Sequence, residues 1–212
     1  ASVWTISPGL YVALQRPGTR CLYYYPTDTD VSDFSADRMA EAIASTSCLE
    51  RTKRAVDNVH QRRIEDSWLY LRGMLSKLRT KSVPADLVIF DELDESAPAN
   101  KAQALERLSH SALGWARELS TPSLPAYGID IQWQKSDQHY WHVACGCKEG
   151  CVMEDHWPDI LRREGGEWAY RCPSCGRLLR AQAPARVGEY VGWVPRKDGA
   201  PVRAYHLSQL FS

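Results

Sequence analysis

Apolar runs and helical spacings alternate along the first part of the chain. Residues 2–6 and 21–25 are short apolar runs that predict strands, and residues 31–49 place Phe34 and Met39 on one face of a predicted helix. This alternation of strand and helix favours an α/β fold built on a parallel sheet.

Polar and turn residues set the predicted boundaries of these elements. Ser7-Pro8-Gly9 is expected to end the first strand, residues 10–15 to form the end of a helix, and Ser32 to cap the helix over 31–49. The remaining predicted elements are an amphipathic helix over 99–113 and strands at 55–60, 67–71, 87–90, 115–119, 188–194 and 204–210.

Two carboxylates follow the most apolar of these strands. Residues 87–90 are typical of a strand buried on both faces, and Asp91 and Glu92 come directly after them. At the carboxyl end of a parallel strand, one carboxylate can hold Mg²⁺ and its neighbour can orient or deprotonate an attacking water. This is the Walker B arrangement of nucleoside triphosphatases; the alternative is a buried strand that enters an acidic turn.

A second polar group follows the neighbouring predicted strand. Ser120-Thr121-Pro122 comes after residues 115–119, where a hydroxyl can contact the γ-phosphate of a nucleotide or its attacking water. A plain loop or a helix cap is the alternative, and the spacing alone favours that alternative.

The charges cancel overall but are unevenly distributed. The 212 residues carry 26 Lys+Arg and 26 Asp+Glu, so net charge indicates no polyanionic partner. Residues 51–81 carry nine Lys/Arg and three acids, whereas residues 86–106 carry six acids and Lys101. This order suits a protein that handles both nucleic acid and a metal nucleotide, and a solvated helix face is the alternative.

Cysteine use indicates metal binding in a reducing compartment. Five of the seven Cys lie between residues 145 and 175, which favours a metal site over a disulfide framework. The sequence has no apolar run of 18 residues and no signal peptide, so no membrane span is expected.

The cysteine spacing predicts one structural zinc. Cys172-Pro-Ser-Cys175-Gly is a tight turn that points two thiolates inward, and a Cys pair about twenty residues upstream would complete a tetrahedral site. Because Cys145-x-Cys147 is a cramped chelate, we expect Cys151 together with one of Cys145 or Cys147. Four thiolates leave no open metal position, and reduced buried thiols are the alternative.

Six short motifs, in this order, resemble the large terminase subunit of tailed phages, in the lambda-type branch whose ATPase carries a Cys-rich insert. The motifs are Tyr25-Pro26-Thr27-Asp28 with Asp33-Phe34-Ser35, Leu71-x-Gly73-x-x-Ser76, Asp91-Glu92-Leu93-Asp94, Ser120-Thr121-Pro122, Ser136-Asp137-Gln138, and Tyr205-His206-Leu207-Ser208.

The resemblance implies a fold, an activity and residue roles. It implies an α/β, P-loop NTPase-like parallel sheet flanked by helices, with a small zinc-ribbon-like insert. The activity would be an ATP-driven motor that packs double-stranded DNA into a capsid. Asp91 would coordinate Mg²⁺ of bound ATP, Glu92 would be the catalytic glutamate, and Thr121 the coupling residue beside Ser120 at the nucleotide.

The resemblance also implies partners and domains. The expected partners are double-stranded DNA, the small terminase subunit, the portal protein and further copies in a homo-oligomeric ring, in the host cytoplasm during viral assembly. The expected divisions are an ATPase domain at 1–134, a zinc-binding insert at 135–185, and a return segment at 186–212 that leads toward a separate endonuclease domain.

The sequence departs from the family pattern at the phosphate-binding loop. No G-x-x-x-x-G-K-[ST] occurs, and its expected place is directly after the predicted strand at 2–6. The loop is therefore either omitted from this chain or degenerate. This favours an alternative function, a non-hydrolysing, zinc-bearing DNA-binding or scaffold protein of the same ancestry. A zinc-containing helicase is disfavoured by Ser136-Asp137-Gln138 and by the ending at His206.

Overall fold

The structure is a computed structural model that describes residues 2–50, 56–75, 83–143, 151–180 and 190–208. The packing of the chain divides it into two units, Ala1–Asp130 and Ile131–Ser212. Within the described ranges, no helix is both long enough and apolar enough to cross a membrane.

The first unit is a five-stranded sheet with helices. Its strands are β1 (Arg20–Tyr25), β2 (Gln61–Ile64), β3 (Ser67–Gly73), β4 (Leu87–Phe90) and β5 (Trp115–Glu118). Its helices are α1 (Ser2–Gln15), α2 (Asp28–Asp33), a π-helix (Phe34–Met39), α3 (Ala40–Ser45), α4 (Ser47–Glu50), α5 (Pro98–Leu105), and 3₁₀ turns at Leu93–Glu95 and Glu106–Leu108. The strand order is β2-β3-β1-β4-β5, and only β2 runs antiparallel to its neighbour.

Strand β4 lies inside this sheet and is buried on both faces. Leu87 and Ile89 belong to the apolar cluster on one face, whereas Val88 and Phe90 belong to the cluster on the other. This agrees with the prediction from the apolar run, because a parallel strand covered on both sides needs apolar residues at every position.

The N-terminal segment is helical, so the predicted strand at 2–6 and its break at Ser7-Pro8-Gly9 are wrong. Helix α1 runs through Pro8 and buries Ile6 and Leu10 against the sheet. Gly9 is required there, because a Cβ on Gly9 would lie 1.8 Å from the hydroxyl of Tyr23. That hydroxyl donates to the Ile6 carbonyl at 3.1 Å. Tertiary packing thus overrides the local helix-breaking signal.

The helix predicted over 31–49 begins earlier and is made of several pieces. Thr27 caps α2, since its Oγ1 accepts from the Asp30 amide at 3.1 Å and Asp30 accepts in return from the Thr27 amide. Ser32, the predicted cap, lies inside α2, where its hydroxyl donates to the Asp28 carbonyl at 3.0 Å. The capping box, with both reciprocal bonds, determines the start of the helix.

The strand predicted at 55–60 is displaced to β2. Residue 55 lies outside the described ranges, and Asn58 forms a turn in which its side chain accepts from the amides of His60 and Gln61 at 3.0 Å each. Pairing of Ile64 with Ser67 leaves a two-residue turn, so the predicted turn at 61–66 is too long.

The predicted helix over 99–113 ends early. Helix α5 stops at Leu105, and Ser111 organises the following turn by accepting from the amides of Leu113 and Gly114 at 3.1 and 3.2 Å. The same hydroxyl donates to Asp86 at 2.6 Å. Local side-chain bonding of this kind competes with helix continuation.

The second unit contains two three-stranded sheets and the C-terminal part of helix α6 (Gly128–Lys135). The strands are β6 (His139–Val143), β7 (Cys151–Val152), β8 (Leu161–Glu164), β9 (Glu167–Arg171), β10 (Leu178–Arg180) and β11 (Tyr190–Pro195), ordered β11-β6-β7 and β10-β9-β8. The strand predicted at 204–210 is instead a single bridge from Tyr205 to His139 over its described part, and residues 188, 189, 209 and 210 lie outside the description.

Candidate functional site

The carboxyl end of β4 meets the first turns of α1. The buried Thr5 donates from Oγ1 to Oδ2 of Asp91 at 3.1 Å. The sequence analysis missed Thr5, because a hydroxyl in an unrecognised helix carries no local signal. The contact requires the apolar face of α1 to pack on the sheet, which brings residue 5 within reach of residue 91.

Asp91 is a buried carboxylate with a raised pKa. Burial raises the pKa of Asp91, and the hydrogen bonds from Thr5 and from the Glu92 amide only partly offset that rise. A carboxylate in this condition gains from a nearby cation, because the cation compensates for lost hydration. Its oxygen and the Thr5 hydroxyl are the ligand types that Mg²⁺ prefers.

Glu92 leaves the strand in a left-handed conformation. Its φ and ψ are 50° and 52°, which is uncommon for a residue other than glycine and is found more often at functional sites. Burial, Asp91 and Glu95 raise the pKa of Glu92, while a hydrogen bond with the Thr121 backbone lowers it in part. The two acids therefore sit in different environments, as different chemical roles require.

The residues after β5 reach the same sheet edge. Ser120 accepts from the Asp94 amide at 3.1 Å and donates to the Thr121 carbonyl at 3.2 Å, so its hydroxyl organises backbone. The exposed Thr121 contacts Glu92 through its backbone. The structure thus brings together all four residues that the sequence placed at the nucleotide, namely Asp91, Glu92, Ser120 and Thr121.

Asp94 ties the segment after Ser120 to the turn after β4. Its carboxylate accepts from the amide and hydroxyl of Ser123 at 2.8 Å each and from the Ile129 amide at 2.7 Å. Burial raises the pKa of Asp94, but these bonds outweigh it and hold the pKa below its usual range.

Two further motifs meet where β1 and β3 end. A Cβ on Gly73 would lie 2.8 Å from the Asp28 amide nitrogen, and the Gly73 amide donates to Asp28 at 3.3 Å. Met74 continues the contact by donating to the Tyr25 carbonyl at 2.8 Å. This close approach of two backbones explains the glycine in Leu71-x-Gly73; Ser76 of that motif lies outside the described residues.

The five clustered cysteines are partly described. Cys145 and Cys147 lie outside the description, Cys151 and Cys172 are buried in one apolar cluster, and Cys175 is exposed. The turn from Cys172 is closed by two backbone bonds of 2.9 Å, from Gly176 to Cys172 and from Cys172 to Arg177. No group of three potential ligands that could hold a metal occurs among the residues that the structure covers.

In the second unit, Asp137 joins two motifs. It accepts from His139 Nδ1 at 2.8 Å and from the Ala204 amide at 3.0 Å. The chain then returns to β6, since the His206 amide donates to the His139 carbonyl at 2.9 Å. Ser136-Asp137-Gln138 and the ending at His206 are therefore structural partners.

Solved structures share the fold. The chain covers 62% of its own length and 33% of the large terminase from a thermophilic bacteriophage, at a TM-score of 0.51 and 12% identity. A second structure of that terminase, in complex with ADP, gives a TM-score of 0.50, 12% identity and coverage of 63% and 34%. The ATPase domain of the large terminase from a Thermus phage gives 0.43, 18% identity and coverage of 57% and 56%.

The mainly parallel sheet with acids and hydroxyls at its carboxyl edge defines the α/β class of nucleotide-hydrolysing folds. A family model described as "Phage terminase large subunit gpA, ATPase domain" matches residues 9–193, and the chain belongs to this family. No curated protein matches the sequence. The chain spans about a third of the length of the first terminase structures that it resembles.

Proposed function

We propose that this chain supplies the ATP-hydrolysing site of a viral terminase motor that translocates double-stranded DNA into a capsid. The observation that carries the proposal is the convergence of Thr5, Asp91, Glu92 and Thr121 at one sheet edge. Membership of the terminase ATPase family favours this function over the non-hydrolysing scaffold, which lacks a supporting observation of its own.

The two oxygen ligands at the site have a defined task. Thr5 and Asp91 would hold Mg²⁺ of the bound nucleotide, as a loop hydroxyl and a Walker B acid do in P-loop enzymes. A bound Mg²⁺ would neutralise charge that develops on the phosphate oxygens. The Thr5–Asp91 hydrogen bond orients both oxygens before the nucleotide arrives.

Glu92 would orient or deprotonate the water that attacks the γ-phosphorus, and the bond from that phosphorus to the ADP oxygen then breaks. Its raised pKa brings the carboxyl closer to neutral pH, which suits a proton acceptor. Thr121 contacts the same carboxyl through its backbone, which supports a coupling role, and Ser120 would help place it at the nucleotide.

A structural zinc is the second part of this proposal. Cys172 and Cys175 would bind zinc with two of Cys145, Cys147 and Cys151. Burial of Cys151 and Cys172 in one cluster, and the closed turn after Cys172, support this donor set. Zinc would stabilise residues 135–185 and take no part in hydrolysis.

The whole protein would act with the partners of a packaging motor. We assign it double-stranded DNA, the small terminase subunit, the portal protein and further copies of itself in a ring, in the host cytoplasm during assembly. An endonuclease activity would belong to a separate domain.

Three variants of the full-length gene product test the hydrolytic proposal. Glu92→Gln should bind Mg-ATP normally and slow turnover by about 10²–10⁴-fold, the usual effect of losing a general base. Asp91→Asn and Thr5→Val should lose both Mg-ATP binding and turnover, whereas Thr5→Ser keeps the hydroxyl and should retain both. Equilibrium ATP binding and steady-state hydrolysis measure these effects; wild-type turnover in Glu92→Gln would refute the proposal.

A further inference from the structure

Asp94 occupies a position that joins two catalytic segments. Its amide donates to Ser120 at 3.1 Å, one residue before Thr121, while its carboxylate accepts three bonds from Ser123 and Ile129. Residues 120–129, here called the coupling loop, are thus held at both ends by one residue that lies two positions from Glu92.

The conformation of Glu92 depends on this arrangement. Its left-handed backbone is followed directly by the Leu93–Glu95 turn, where the Leu93 amide donates to the Leu119 carbonyl at 3.1 Å. Bonds from residues 93 and 94 to residues 119 and 120 fix the turn against the end of β5. The same attachment brings the Thr121 backbone to the Glu92 carboxyl.

Asp94 is itself closely surrounded. It is 9% exposed, and Gly128 approaches so closely that a Cβ there would lie 2.1 Å from its Oδ1. A carboxylate that accepts three hydrogen bonds is the best acceptor for this site, since an amide side chain offers one oxygen and presents donors in place of the other.

We propose that Asp94 is a positioning residue for hydrolysis, which holds the coupling loop so that Thr121 sets the orientation and basicity of Glu92. This inference rests on the proposed function of Glu92. Asp94 acts through the loop and contacts neither the nucleotide nor the attacking water.

The substitution Asp94→Asn in the full-length gene product tests this role. One acceptor remains for Ile129, and both bonds from Ser123 are lost. We expect kcat to fall by about 10–100-fold, the usual effect of a misplaced catalytic group. KM for ATP should stay within about threefold, because Thr5 and Asp91 are untouched.

The pH profile separates positioning from loss of folded protein. Weaker contact between Thr121 and Glu92 removes a bond that lowers the pKa of Glu92, so the acidic limb of kcat should move to higher pH in Asp94→Asn. Partial unfolding would reduce the amount of active enzyme and leave the limb in place. Asp91 and Glu95 also raise this pKa, and both remain in the variant.

Two further variants keep the test valid if Asp94→Asn folds poorly. Ser123→Ala removes one of the three bonds and should show the same changes to a smaller degree, whereas Ser123→Thr should restore them. Glu95→Gln, the charge control, removes a neighbouring acid but no bond to the loop, and should leave kcat at pH 8 within about threefold.

The outcomes are distinct. An unchanged acidic limb in both Asp94→Asn and Ser123→Ala, or wild-type kcat in both, overturns the positioning role while leaving an inactive Glu92→Gln, and hence the proposed function, intact. A fully active Glu92→Gln removes the proposed function and this inference with it.

Discussion

Gly128 approaches Asp94 so closely that any side chain at residue 128 would displace the carboxylate. A Cβ on Gly128 would lie 2.1 Å from Oδ1 of Asp94, and the φ of Gly128 is +51°. Both the backbone conformation and the space therefore require glycine at this position.

Gly128→Ala should destabilise the first unit by roughly 1–3 kcal/mol, because the methyl group overpacks Asp94 and the left-handed backbone disfavours alanine. Gly18→Ala is the matched control, since Gly18 has a φ of +84° and no atom within 4 Å of an added Cβ. It should show only the backbone cost, about 1 kcal/mol. Chemical denaturation measures both; equal losses would show that the contact with Asp94 has no energetic effect.

Arg62 and Arg63 are adjacent but should respond differently to substitution. Arg62 is 6% exposed and donates to the carbonyl and hydroxyl of Ser35 at 2.8 and 2.9 Å and also to Asp57, so Arg62→Ala should cost roughly 1–3 kcal/mol of stability. Arg63, with 38% of its side chain exposed, should change stability by about 0.5 kcal/mol or less on substitution with Ala.

Arg63 also tests the proposed DNA contact of residues 51–81. Its guanidinium lies 5.7 Å from the ring centre of Trp68 on the half-exposed face of β3. If this surface contacts phosphates, Arg63→Ala should weaken binding of duplex DNA and reduce the slope of log K against log salt by about 1. A full-length variant with wild-type affinity and slope would limit Arg63 to packing on Trp68.

Glu92→Gln should stabilise the protein at high pH. The folded state raises the pKa of Glu92, so the stability that its protonated form contributes is complete below the unfolded pKa and is lost as pH rises through the folded pKa. Gln stays neutral, and the advantage of the variant should therefore be largest at pH 8 and shrink toward about pH 4. Denaturation midpoints at pH 4, 6 and 8 measure it, with the exposed Glu41→Gln as the control; a pH-independent difference would contradict this reasoning.

One zinc ion per chain should copurify with the protein. Cys172→Ser should lose the metal and destabilise residues 135–185, because zinc binding and folding are coupled in such sites. Cys48→Ser, at an exposed cysteine outside the cluster, should keep both metal and stability. Elemental analysis decides the matter; less than about half an equivalent of zinc, with Cys172→Ser fully stable, would show that the thiols are simply buried.

Local sequence was sufficient for the centre of the first unit. Residues 87–90 predict a strand buried on both faces, and residues 21–25 and 115–119 predict its two neighbours, because an unbroken apolar run has few other solutions in an α/β fold. The acids and hydroxyls that follow these strands could then be placed together, since parallel strands end at one edge. The terminase family was also identifiable from the order of short motifs.

Tertiary structure decided what depends on distant partners. Residues 2–6 are compatible with strand or helix, and only packing of Ile6 and Leu10 on the sheet, with Gly9 making room for Tyr23, selects the helix that carries Thr5 to Asp91. The role of Asp94 was equally invisible, because its partners Ser123 and Ile129 lie about thirty residues away. A sequence pattern reports which side chains prefer burial, but a hydrogen bond between distant residues exists only once the chain has folded.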